Sequence, residues 1–227
     1  MKKYFVIALL AVVPFILSAI NIDPKMGFKI GMNFSTLNGF GTSYSNSFDE
    51  DMEGFTSNNI YRKPMTLGFF IFQDFSYVSL QLEANLSRKG IAIKSKSNPR
   101  GGIVTYTSIF KVNYFEFPLL VKYCFSTKKM KSYVYAGPSI SILNASTYYI
   151  KIKVQDASDS DETDYNIYKN VDYGLNFGFD FHSPNNVILD FRYTMGLTNI
   201  IDETKLEYDV RDEWKNSVFN FSLGFMF

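Results

Sequence analysis

Few residues in this chain could form a reaction centre. It has one histidine, His182, and one cysteine, Cys124. A nucleophilic centre needs a base beside the nucleophile and a third group to orient that base. His182 sits with Ser183 and Pro184 in a turn-like stretch, and the sequence offers it no triad partner. It reads as a solvated turn residue. One thiol cannot form an intrachain disulfide, and nothing marks Cys124 as reactive; it is expected to pack near a rim of the fold. One His and one Cys also leave most metal-ligand sets without members.

The carboxylates offer little more. Glu83 and Glu116 are of the type used in acid–base catalysis, but ion pairing inside the fold accounts for them better. The stretch 156–164, DASDSDETD, has five acidic residues and no basic one, and Asp202, Glu203, Glu207, Asp209, Asp212 and Glu213 follow later. Such oxygens can bind calcium, yet the glycine that an EF-hand loop needs at its turn is missing. These stretches read as solvated acidic loops. Lys94, Lys96 and Arg100 form a basic counterpart suited to phosphate groups. The expectation is no catalytic site, no cofactor and no metal.

The elements that would position these residues follow a period of two. Phe28, Ile30, Met32 and Phe34 alternate with Lys29, Gly31, Asn33 and Ser35. The same alternation runs through 78–87, 171–181, 187–198 and 219–227. Three less regular strands are expected at 65–73, 114–125 and 133–143. Pro118 and Pro138 lie within two of them and suggest bulges. That makes eight strands, in keeping with the high aromatic share of 18% and the strand preference of Phe and Tyr. The connections alternate between long polar stretches (37–63, 94–102, 151–169, 201–213) and short turns (74–76, 126–131, 182–186).

The start of the chain reads as a secretory signal. Lys2 and Lys3 precede an apolar run from Tyr4 to Leu17, with small Ser18 and Ala19 after it. The run is shorter than the ~20 residues of a spanning helix. Cleavage after Ala19 leaves a signal peptide at 1–19 and one domain at 20–227, with no linker or repeat.

Alternation alone does not say which face points inward; the size of the side chains decides. Eight strands enclose an interior just wide enough to be filled by side chains. The Phe, Leu, Tyr and Val face would overfill it. The other face is Gly, Ser, Asn and Thr, with Lys29, Glu83, Glu116, Lys122, Asp180, Asp190 and Arg192. Both charge signs are present, so a lumen charge cluster of structural kind is expected. The fold class is therefore all-β: an eight-stranded antiparallel up-and-down barrel with its apolar face toward lipid. The mean hydropathy of −0.06 fits, because lipid-facing and lumen-facing residues average out. Short turns and both termini would be periplasmic and long loops outside. Phe227 and Phe225, closing the last strand, read as a signal for the outer-membrane insertion machinery.

Three stretches carry a family resemblance: LQLEANLSRKG (80–90), YFEFPLLVKYCF (114–125) and YVYAGPSISIL (133–143). In order and spacing they resemble the PorT-type outer-membrane β-barrel family of Gram-negative bacteria. The resemblance covers the mature chain and implies an outer-membrane barrel without a defined activity. The expected function is non-enzymatic, structural or surface-interacting through external loops. The alternatives are an accessory component of a secretion or transport system, and a soluble lipocalin-like barrel with its apolar face inside. The expected partners are outer-membrane lipid and lipopolysaccharide, the insertion machinery, and an extracellular or secretion-system protein. A formal net charge of +1 gives no general attraction to nucleic acid.

Overall fold

The computed structural model describes residues 24–38, 56–61, 63–75, 77–97, 104–126, 130–154, 157–164, 167–205 and 213–227. The expected signal peptide, Arg100, Asp156, Glu207, Asp209 and Asp212 lie outside the described residues.

Ten strands appear in chain order: β1 (Lys25–Asn38), β2 (Thr56–Tyr61), β3 (Met65–Phe75), β4 (Val78–Ser97), β5 (Val104–Ser126), β6 (Lys131–Val154), β7 (Ala157–Asp164), β8 (Val171–His182), β9 (Val187–Gly196) and β10 (Lys215–Met226). Eight of them close a ring in the order β1-β3-β4-β5-β6-β8-β9-β10, each antiparallel to its neighbours, with β10 returning to β1. The short strands β2 and β7 stand outside the ring and pair with the far ends of β4 and β6.

The register fixes the size of the barrel. Following paired residues once round the ring from Gly27, through Phe70, Ser139 and Gly174, leads to Asn216 and then Leu37, ten residues along β1. With strands ~4.8 Å apart and a rise of ~3.3 Å per residue, that stagger tilts the strands by about 40° and gives a radius of about 8 Å. The interior therefore takes side chains and little else.

The sides are assigned by exposure. On one face Phe28, Ile30, Leu67, Phe69, Leu80, Leu82, Leu119, Val121, Phe177, Phe179, Phe221 and Leu223 are between 37% and 64% exposed. On the other, Lys29, Glu83, Lys122, Asn176, Asp180 and Asp190 are buried. A continuous apolar belt of this extent far exceeds the few hundred Å² usual on a water-soluble surface. It is the lipid-facing wall of a membrane barrel. Aromatic contacts run across it: Phe179 on Phe191 at 4.9 Å, Phe191 on Phe221 at 5.0 Å and Tyr193 on Phe219 at 4.7 Å between ring centres. No helix among the described residues is long and apolar enough to cross a membrane; the crossing is made by strands.

Three sequence expectations are corrected. The strands at 78–87, 114–125 and 133–143 are the lower parts of much longer strands: β4, β5 and β6 have 20, 23 and 24 residues. They continue into stretches that read as polar loops, because Thr, Lys and Ile still alternate there. The acidic stretch is no loop either: 157–164 is β7, paired with β6 from Val154 to Thr147. The prolines do not make bulges. Pairing is interrupted beside Pro118 and beside Pro138, and it resumes in the same register. The shifts of register lie at Asn113/Tyr114 and Cys124/Ser126. A missing N–H removes a ladder bond but inserts no residue, so it need not bend the strand. Gly137, next to Pro138, lets the backbones close up: a Cβ there would stand 1.9 Å from the Leu119 carbonyl oxygen.

Candidate functional site

The lumen is layered. At the end with short turns lies an apolar cluster of Phe70, Phe72, Cys124, Tyr133, Ile188 and Met226. At the opposite end Leu37, Ile91, Ile93, Phe110, Val112, Tyr114, Tyr168, Ile200 and Ile201 form a second cluster, with Trp214 and Tyr148 against it. Charge occupies the middle.

Four of the seven charged residues expected in the lumen form one network. Arg192 on β9 donates Nη1 to Glu83 Oε2 at 2.8 Å and Nη2 to Glu83 Oε1 at 2.7 Å, a bidentate pair across the barrel from β4. Lys29 on β1 donates to Asp190 Oδ2 at 2.7 Å and to Glu83 Oε1 at 3.1 Å. Arg192 Nη2 also reaches Asp190 Oδ2 at 3.1 Å. Two cations thus face two anions, and the quartet is neutral. Donors from Gln81 and Asn85 occupy further lone pairs of Glu83, and the Tyr135 hydroxyl donates to Asp190. The planar guanidinium suits this bidentate bridging role.

The remaining three fall into separate pairs. Lys122 is bound to Asp180, with both side chains fully buried. The rings of Phe72, Tyr133 and Tyr135 stand 5.3–5.8 Å from the Lys122 ammonium, a cation–π box. Glu116 pairs with Lys89 at 3.1 Å. Lys89 and Tyr135 were missed from the sequence as members of these networks. Lys89 continues the inward alternation of 79–87 and was lost by ending that strand at Ser87. Tyr135 lies on the inner face of β6, but an aromatic residue in the sequence gives no sign that its hydroxyl serves a carboxylate.

His182 is corrected. It is not a solvated turn residue but the last residue of β8, buried at 5% exposure. Its Nε2 lies 3.3 Å from Asp180 Oδ1, and its ring lies 4.7 Å from Tyr133 and 5.4 Å from Phe72. The turn itself is Ser183–Asn186, closed by the Ser183 N–H on the Val187 carbonyl at 2.8 Å, with Asn186 at φ 64°. Cys124 is buried in the cluster at this rim. Phe225 and Phe227 are exposed at 40% and 67%, and Phe227 exchanges backbone hydrogen bonds with Met26.

Chemically, the network is built to hold. Its carboxylates are engaged by cations, by amides and by the Tyr135 hydroxyl. The cavity above it, lined by Asn33, Glu83, Asn85, Lys89, Glu116 and Arg192 among others, measures about 30 Å³, room for about two waters. Among the described residues no group of three or more His, Cys, Asp and Glu side chains could hold a metal. Between β9 and β10, hydrogen bonds from Thr204 and Lys205 hold the Asp202 carboxyl below its ordinary value, and Lys215 does the same for Glu213.

Fold and lumen together define a transmembrane β-barrel with a side-chain-filled interior. The family described as outer membrane protein beta-barrel domain matches residues 21–202, and the chain belongs to it. That membership assigns it to the outer membrane of Gram-negative bacteria. No curated protein matches in sequence. Among solved structures, the chain is similar to Ail, the attachment invasion locus protein of Yersinia pestis, at 11% identity over 91% of this chain and 100% of that one, with TM-score 0.36. It is similar to Neisserial surface protein A at 10% identity over 90% and 97%, TM-score 0.40. It is also similar to the N-terminal β-barrel domain of Pseudomonas aeruginosa OprF at 12% identity over 90% and 100%, TM-score 0.35.

Proposed function

We propose that this chain is a non-enzymatic outer-membrane barrel that displays a rigid β-sheet outside the cell, with a structural or surface-interaction role. The observation that carries the proposal is the contrast between its two parts. The lumen is stoppered by two apolar clusters with the ion-pair network between them, so the barrel conducts little. By contrast, β4, β5 and β6 run on past the ring and gain β2 and β7 to form a five-stranded sheet. A scaffold of this kind supports presentation rather than transport. His182, locked against Asp180, Phe72 and Tyr133, supports a packing role.

In this reading the first 19 residues are a signal peptide, and the short turns and both termini face the periplasm. The motifs at 80–90, 114–125 and 133–143 favour the PorT-type branch of the family. Phe225 and Phe227 belong to the strand recognised during insertion. The test is conductance: the purified barrel, inserted into planar lipid bilayers, should give no stable open-channel steps. Reproducible channels with ion selectivity would refute the stoppered-scaffold reading and favour a transport component.

A further inference from the structure

The outer sheet brings together lysines that are far apart in the sequence. In the register, Lys94 on β4 pairs with Thr107 on β5, and Thr107 pairs with Lys151 on β6. Two residues further out, Lys96 pairs with Thr105, and Thr105 with Lys153. The two rungs continue to Asn58 and Thr56 on β2 and to Ser160 and Ser158 on β7. No acidic and no apolar residue occurs on either.

All four lysines are exposed, whereas their neighbours Ile93 and Ser95 are buried. The lysines therefore point away from the barrel axis. Among the described residues none of the four forms an ion pair. Of the acids of β7, Asp159 and Asp161 pair with Ile152 and Ile150 and so alternate to the other face, while Glu162 and Asp164 share the lysine face one and two rungs nearer the membrane, opposite Tyr149 and Thr147. Lys94 and Lys151 stand two strand spacings apart, about 10 Å, and Lys94 and Lys96 about 7 Å. The result is a rectangle of ammonium groups around the hydroxyls of Thr105 and Thr107.

Height says what this face meets. On the outer wall Leu86, Phe115 and Ile142 form one apolar rung, and Ala92, Ile109 and Tyr149 form another two residues before Lys94. Lys94 lies eight residues beyond Leu86, about 20 Å along the membrane normal at the tilt derived above. Arg88 and Lys111 lie between. The face looks sideways, so what stands against it is the saccharide layer of neighbouring lipids rather than the medium above.

We propose that the outward face of β4, β5 and β6 binds the sugar-borne phosphate groups of outer-leaflet lipopolysaccharide. The lysines supply charge and the threonine hydroxyls supply directed hydrogen bonds. This rests on the outward placement of the long strand ends proposed above.

The test uses the full-length barrel folded in detergent and immobilised. The probes are purified rough lipopolysaccharide, the same material enzymatically dephosphorylated, and inorganic phosphate. A basic residue near an anionic surface contributes about fivefold in affinity. The variant K94Q/K96Q/K151Q/K153Q should therefore retain at least about tenfold less lipopolysaccharide, while Lys131→Gln at the opposite end should bind as the parent does. Dephosphorylated material should bind weakly to all three, and 10 mM inorganic phosphate should displace little. Unchanged retention by the fourfold variant, equal binding of the dephosphorylated lipid, or full displacement by inorganic phosphate would each overturn the proposal. The exposed substitutions leave the core untouched, and folding is checked by resistance to trypsin. Placement is checked separately: Lys151→Cys should react with a membrane-impermeant maleimide on intact cells. Failure to react would overturn the outward placement itself, whatever the binding result.

Discussion

The neutral quartet in the lumen makes a signed prediction. Glu83→Gln keeps the shape of the side chain but removes one anion, leaving Lys29 and Arg192 to share Asp190. Both cations are buried, at 5% and 7% exposure, so water cannot replace the lost partner. Breaking a buried pair in this way costs about 3–5 kcal/mol. Arg192→Gln should cost a similar amount, because Glu83 and Asp190 then share Lys29. The double variant E83Q/R192Q removes one charge of each sign and leaves the Lys29–Asp190 pair at 2.7 Å intact. It should be less damaged than the sum of the single variants by about 2–3 kcal/mol, the upper part of the coupling range for residues in contact. The assay is urea unfolding of the barrel in lipid vesicles, followed by the fluorescence of the single tryptophan, Trp214. Additive single costs, or singles within about 1 kcal/mol of the parent, would refute the claim that the quartet is a balanced electrostatic unit.

Further outcomes follow from the same structure. Leu82→Arg on the lipid face should cost roughly 2–4 kcal/mol at mid-depth, measured by the same unfolding; no loss would place Leu82 away from lipid. Gly90 has φ +126°, and a Cβ there would lie 1.9 Å from the Phe110 carbonyl oxygen, so Gly90→Ala should destabilise by at least about 1–3 kcal/mol and raise amide exchange at the β4–β5 contact; unchanged exchange would contradict this. Cys124, buried among Phe70, Phe72 and Tyr133, should react with a thiol reagent only after unfolding, and rapid reaction in the folded barrel would show the rim to be open. Phe225→Ser removes a ring 6.2 Å from Phe28 across the β10–β1 seam and should lower the inserted fraction in cells, whereas equal insertion would count against a role for that strand end in assembly.

The barrel was readable because its physics repeats every two residues. Phe28 to Ser35 and Phe219 to Phe227 show one large and one small face, and an interior of about 8 Å radius admits only the small one. The inward position of Lys29, Glu83, Asp190 and Arg192 follows from that alternation. Their grouping does not, because it depends on the ten-residue stagger that carries Glu83 on β4 opposite Arg192 on β9, 109 positions away. His182 reads as a turn residue because Ser183 and Pro184 mark a turn, and that turn begins one residue later, at Ser183. The far halves of β4, β5 and β6 are hidden by polarity: beyond the lipid, a strand no longer needs an apolar outward face, so Lys94, Lys96, Lys151 and Lys153 read as loop. The lysine rectangle is a property of register between strands, which no single stretch of sequence contains.

The central claim, an eight-stranded barrel with this apolar face against lipid, is tested most directly along β4. Spin labels on lipid acyl chains should broaden the side-chain NMR signals of Leu80, Leu82 and Leu86 in the folded protein and leave those of Gln81 and Glu83 sharp. Broadening confined to Gln81 and Glu83, or uniform along the strand, would contradict the account.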